Sequence, residues 1–127
     1  LVSLEKTPVD ALIMDGEFRS RPQVEVEPFP HRRRLVVDFQ RRKRVPVIGT
    51  SELFAVEGAV ASIGPDYREL TRLAADLVAM ILNGANPATL PVVFGRRTRL
   101  VVNLRSAREI GVNVPPQVVL LADRVID

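Results

Sequence analysis

Cysteine is absent, which removes disulfide frameworks and thiol chemistry and leaves the cytosol and the periplasm both open as compartments. Histidine occurs once. His31 lies in an arginine-rich stretch beside Pro30, with no carboxylate cluster next to it. A metal site needs three or four ligands, so His31 reads as a surface residue and no metal is expected. No apolar run approaches the roughly 18 residues of a membrane-spanning helix. Ser51, Ser62 and Ser106 lie in no G-x-S-x-G elbow, and neither G-x-G-x-x-G nor G-x-x-x-x-G-K-[ST] occurs. Catalysis by a metal or by a histidine-assisted nucleophile is not supported, nor is a nucleotide phosphate loop. The chain reads as a non-enzyme without a cofactor. The opening LVSLEKTPVDALIMD also lacks the basic start, apolar run and small-residue cleavage site of a signal peptide. It reads as mid-domain sequence, so the expectation is a single domain, residues 1–127, taken from a longer protein.

What is present suits a folded domain. Hydrophobic residues make up 46% of the 127, enough for a core, and 26% are charged, which argues against disorder. The net charge of +3 is unevenly spread. HRRRLVVDFQRRKR, residues 31–44, holds seven of the 18 basic residues.

Along the chain, apolar Ala11 to Met14 reads as a short buried strand ending at the turn-like Asp15-Gly16. Pro22, Pro28 and Pro30 exclude a regular helix from 17–30, which reads as a loop with an extended piece near Gln23 to Glu27. Residues 31–44 fit a helix with Leu35, Val36 and Phe39 on one face, and RLVVDF also fits a strand. Val45 to Thr50 is a second buried strand, with Pro46 near its start. Thr50 or Ser51 can cap a short helix to about Glu57, where Gly58 ends it, and Ala59 to Ile63 is a third strand.

Leu70, Leu73, Ala74, Leu77, Val78 and Ile81 keep the spacing of one helix face over about 67–83. Asp66 and Glu69 fit a capping box at its start, and Gly84 fits the C′ position at its end. Leu90 to Phe94 reads as extended, and Arg99 to Val102 as a strand. Asn103 can cap a helix ending at Gly111. Pro115-Pro116 opens a last helix, with Val118, Val119, Leu121 and Ala122 available for packing. Strands alternating with helices, several of them apolar on both faces, predict an α/β fold with a mostly parallel sheet flanked by helices.

In such sheets, ligands sit outside the carboxyl ends of the strands. Those ends fall at Met14-Asp15, Gly49-Thr50 and Ser62-Gly64. Thr50 and Ser51 can donate to a ligand carboxylate, Asp15 or Glu17 can hold an ammonium group, and Tyr67 can stack on an apolar or aromatic ligand. The plain reading of Thr50, Ser51 and Asp66 is helix capping, and that of Asp15 and Glu17 is a solvated turn.

An ordered series of short motifs runs through the last two-thirds of the chain. It comprises Pro46-Val47, Gly58-Ala59, Ser62 with Pro65-Asp66-Tyr67, Ile81-Leu82 with Gly84, Leu90-Pro91, Val102-Asn103 with Ala107 and Gly111, and Ala122-Asp123 with Val125-Ile126. In order and spacing it resembles the carboxy-terminal part of ABC-transporter substrate-binding proteins of the tryptophan/tyrosine type. VDALIMDGE, residues 9–17, resembles the family's Val-Asp-Ala strand more weakly. The stretch 18–44 departs from the family in being more basic and richer in proline, and Thr71 stands where a glycine is usual.

The resemblance implies one lobe, plus crossover segments, of a type I periplasmic-binding-protein fold. It implies a small amino-acid-like ligand in an inter-lobe cleft and an ABC permease in the membrane as partner. The location would be periplasmic or otherwise extracytoplasmic, with lipid anchoring as one full-length form. A lone lobe exposes apolar surface, so homodimerisation of the piece is a further expectation. A second class of function stays open: a sensor-attached or stand-alone α/β domain binding an anionic partner through residues 31–44. Nucleic acid fits that run poorly, because Phe39 is its only aromatic and no recognition fold accompanies it.

Overall fold

A computed structural model describes residues 8–14 and 29–127, with the side chains of 29–32 outside the description. The chain forms two compact units. One holds the sheet, up to Gly64 and again from Arg99, and the other is the excursion Pro65–Thr98.

The sheet has five strands in the order β1-β2-β3-β4-β5: β1 Leu12–Met14, β2 Val47–Gly49, β3 Ala61–Pro65, β4 Thr98–Asn103 and β5 Arg124–Ile126. β1 with β2, β2 with β3 and β4 with β5 are parallel. The sense reverses between β3 and β4, where the Asn103 amide donates to the Val60 carbonyl, end against beginning. The expected α/β sheet is therefore present and mostly parallel. β5, short and half-exposed, is an element beyond the sequence-based reading.

Helix α1, Phe29–Lys43, settles the open choice at 31–44 in favour of helix. It begins earlier than the proline argument allowed. Pro30 falls in the first turn, where the missing N–H has no intrahelical partner to lose. Val36, Val37, Phe39 and Gln40 are buried at helical spacing, while Arg34 and Asp38 face outward. Arg41, Arg42 and Lys43 occupy the last turn, against the negative end of the helix dipole. Val36 packs with Val47, Phe54 and Ala59, and with half-buried Leu12 and Met14. Each fully buried Val or Phe side chain contributes about 1.5–3 kcal/mol over an exposed one.

α2, Glu52–Val56, buries Phe54 and Ala55. α4, Leu104–Ile110, is capped by Asn103, whose Oδ1 accepts the Ser106 amide while its Nδ2 donates to the Ala55 carbonyl. Gly111 ends α4 in the left-handed region, φ 76°. Ala107 and Ile110 join Val60 in a second cluster, flanked by Val112 and Val114. α5, Pro116–Leu121, starts at the expected proline pair but buries none of its residues; Leu120 and Leu121 are exposed.

The excursion carries α3, Tyr67–Leu82, within a residue of the expected bounds. Asp66 caps it, accepting from the Arg68 and Glu69 amides, and Gly84 turns the chain at φ 95°. The capping box is not made. Glu69 instead accepts from the Arg96 and Arg97 amides at 3.0 and 2.9 Å, and the Asp66 amide donates to the Arg97 carbonyl. Two backbone donors with no other strand partner outcompete one local N–H. A 3-10 turn, Pro87–Thr89, follows α3, and residues 91–97 take no regular structure, so Leu90 to Phe94 is not a strand.

Candidate functional site

The carboxyl ends of β1 and β2 lie side by side, Met14 against Gly49, and Gly49 pairs with Ser62 near the start of β3, which runs on past them to Pro65. Thr50 and Ser51 form the turn at this end, and the fold holds that turn from several sides. The Thr50 amide donates to the Met14 carbonyl at 3.1 Å, and the Ser51 carbonyl accepts the Phe54 amide at 3.0 Å. Two glycines let the neighbouring chain close in. A Cβ on Gly64 would lie 1.9 Å from the Thr50 carbonyl oxygen, and one on Gly49 would lie 2.2 Å from the Phe54 ring. Neither space admits even a methyl group, so glycine at both positions is a packing requirement of this turn.

Ser51 occupies the N-cap position of α2, yet its side chain makes no capping hydrogen bond. The plain capping role expected for it is therefore not the one its hydroxyl performs. α2 is only five residues long, which limits what its dipole can add. Both Thr50 and Ser51 are half-buried, so the turn is a packed edge rather than a loose loop. Just inside the edge, Ser62 is buried and its Oγ has no hydrogen-bond partner.

Of the other candidate residues, Tyr67 opens α3 in the second unit and is 59% exposed. Asp15 and Glu17 lie outside the described residues. Thr50 and Ser51 are thus the candidates that the sheet itself brings together.

The same end of the sheet receives two cations that sequence reasoning passed over. Glu52 follows Ser51, and its carboxylate meets Arg124 of β5 at 2.8 Å and Arg99 of β4 at 3.4 Å. The reversal between β3 and β4 brings them there, because it puts the beginnings of β4 and β5 where β1 to β3 end. Arg99 and Arg124 stand 25 positions apart with no motif around them. Only knowledge of the reversed strand would have pointed to them.

The basic run is largely committed within the fold. Arg33 makes a two-pronged pair with Glu57, Nε to Oε2 at 2.7 Å and Nη2 to Oε1 at 2.8 Å. The Glu57 hydrogen bond holds the Arg33 guanidinium above its already high pKa, with burial opposing and the carboxylate charge assisting. Arg41 pairs with Glu109 at 3.2 Å. Among the described residues, no helix is long and apolar enough to cross a membrane.

Comparison with known proteins agrees with this architecture. The sequence profile of the family described as ABC transporter substrate binding protein matches residues 21–126. A conserved domain protein from Vibrio cholerae is similar in structure at a TM-score of 0.69 and 30% identity, over 73% of this chain and 31% of that one. An ABC domain from Streptococcus pneumoniae, solved in complex with L-Trp, has a TM-score of 0.72 and 25% identity, over 98% of this chain and 40% of that one. A substrate-binding protein with adhesive properties from Clostridium difficile, in a ligand-free open structure, shares the fold at a TM-score of 0.55 and 23% identity, over 76% and 32%. No curated protein matches the chain. The chain spans between 31% and 40% of the length of these solved relatives. The match is to a family of binding proteins, not of enzymes, and its fold is that of the periplasmic binding proteins. With the profile running over residues 21–126, through four of the five strands of the described sheet, the chain belongs to the ABC transporter substrate-binding protein family.

Proposed function

We propose that this chain is a ligand-binding lobe of an extracytoplasmic solute-binding protein that serves an ABC importer. Its solute is small and amino-acid-like. The family match over residues 21–126 carries the reading. The rigid Thr50–Ser51 turn and the L-Trp complex of the Streptococcus pneumoniae relative support it. In this reading Thr50 and Ser51 contact the solute, Asp15 or Glu17 faces its ammonium group, and Tyr67 stacks on its side chain. Closure of two lobes on the solute is what the membrane permease reads.

α3 fits the same reading. Its sequence is strongly amphipathic, yet none of its residues is buried. Its exposed apolar face, including Val78 and Ile81, is surface that further parts of a longer protein would cover. The piece alone is expected to self-associate through such residues, which light scattering at increasing concentration checks.

The test is a thermal-shift screen on the longest natural form of the chain. The panel holds the amino acids, small carboxylates and a short DNA duplex, each at low and high salt. A saturable rise in melting temperature with one solute class, persisting in salt, is expected. Solute at about 100 times its Kd adds about 2.7 kcal/mol to stability. A shift with DNA alone, vanishing in salt, would replace this reading with the anionic-partner function of residues 31–44.

A further inference from the structure

We propose that Arg99 and Arg124 are the anion-recognising pair of the site, so that its solute presents a carboxylate to this end of the sheet. The assignment rests on the solute-binding reading above and deepens it.

Strand register places the pair. The Asn103 amide bonds the Val60 carbonyl, and the Asp66 amide bonds the Arg97 carbonyl. This antiparallel register sets Arg99 opposite Gly64, the residue whose backbone lies against the Thr50 carbonyl. Val101 pairs with Arg124, which puts the second arginine on the next strand, two residues farther along β4 than Arg99. Both cations therefore reach the edge that carries Thr50 and Ser51, and Glu52, the next residue in the chain, touches both.

Charge and donor count set the chemistry. One carboxylate faces two guanidinium groups. The neighbouring Asp123 carboxylate accepts from the Leu100 amide at 2.8 Å, and no ion pair joins it to either arginine among the described residues. Glu52 meets a single nitrogen of each arginine, whereas a guanidinium offers five N–H donors in a planar fork. The unused edges of the forks match a carboxylate. The side chains of Arg99 and Arg124 are 27% and 50% exposed, open to a solute yet shielded enough for the charge to count. A surface ion pair alone would need one arginine for one carboxylate. Asp123 keeps its charge while it accepts the Leu100 amide, so the cluster is close to neutral; what the second arginine leaves at the edge is N–H donors, and Glu52 acts as a positioning residue that aims both forks.

The experiment is isothermal titration calorimetry on the longest natural form of the chain. The ligands are L-Trp, L-Phe, tryptamine, which lacks the carboxylate, and 3-indolepropionate, which lacks the amine. The wild type is expected to bind the carboxylate-bearing members and to reject tryptamine. Arg99→Gln and Arg124→Gln should each weaken binding about tenfold or more. Arg99→Lys and Arg124→Lys retain the charge, lose the fork, and should fall in between. These Lys variants decide the matter if a Gln variant fails to fold.

Binding by all four variants within twofold of wild type overturns the assignment and leaves the binding-protein reading standing. So does tryptamine binding as tightly as L-Trp. A wild type that binds no member of this panel and no solute of the thermal-shift panel overturns both.

Discussion

Gln40 offers the sharpest test of what holds the sheet unit together. Its side chain is fully buried on α1 and makes three hydrogen bonds. Nε2 donates to the Gly58 carbonyl at 2.8 Å, and Oε1 accepts the Val47 and Val60 amides at 3.0 and 3.1 Å. One amide group thus ties α1 to the start of β2 and to the segment leading into β3. Gln40→Leu keeps the volume and leaves two buried donors and one buried acceptor without partners. A buried polar group stripped of its partner costs about 1–3 kcal/mol. Partial relaxation across three groups makes about 3–6 kcal/mol a fair expectation, against a total stability of about 5–15 kcal/mol for a domain. Urea unfolding followed by far-UV circular dichroism measures the loss, and an unchanged m-value shows that the change is one of stability. A melting temperature lower by about 10 °C or more should accompany it. Gln40→Glu adds a pH signature. When protonated, the introduced carboxyl can donate to Gly58 and accept from both amides, as glutamine does. When ionised, it faces a carbonyl and is desolvated, so its folded pKa is raised. The variant should approach wild type in acid and lose stability as pH rises through the ordinary carboxyl range toward the raised value. A loss below about 1 kcal/mol in Gln40→Leu would refute the claim that these bonds anchor the helix.

Three further substitutions probe the edge and the excursion. Gly64→Ala puts a methyl group on the Thr50 carbonyl, so it should cost about 1–3 kcal/mol and also weaken solute binding; unfolding and titration that both match wild type would mean the turn moves freely. Ser62→Ala removes a buried hydroxyl that has no partner and should be neutral or stabilising by about 1 kcal/mol; a clear drop in melting temperature would reveal a bond this structure does not contain. Asp66→Ala should lower stability by about 1 kcal/mol and speed amide exchange at Arg68 and Glu69, and exchange at the wild-type rate would rule out a capping role.

Local rules carried much of the fold. The periodicity of α3, the Asn103 cap and the glycines after α3 and α4 lie where spacing and cap chemistry put them. What sequence missed depended on distant partners. Glu69 sits at capping-box spacing, but the Arg96 and Arg97 amides, 27 and 28 residues away, claim its carboxylate. By its ring chemistry Pro30 is a helix breaker, yet it occupies the one turn of a helix that tolerates it. The reversal of β4 has no local signature, since a strand–helix–strand pattern normally returns parallel. Yet the reversal determines which side chains share an edge with Thr50 and Ser51. The turn itself was legible as a strand end. Its rigidity was not, because that depends on Gly49 meeting Phe54 and Gly64 meeting Thr50.

The same contrast decides where anion recognition belongs. By density, the run 31–44 is the obvious anion site. In the fold, Glu57 holds Arg33 with two bonds, Glu109 pairs with Arg41, and the last-turn cations answer the dipole of α1. Arg99 and Arg124, 25 positions apart in sequence, share one carboxylate at the strand ends. Groups that recognise a solute must keep donors to offer and must lie at the edge where the solute sits; density along the chain ensures neither condition. Thinning the run at the exposed Arg34 should therefore leave solute affinity within about twofold, since interactions of an exposed charge are weakened by physiological salt. Titration of Arg34→Gln beside Arg124→Gln makes the comparison directly. Equal losses of affinity in the two would return the anion site to α1.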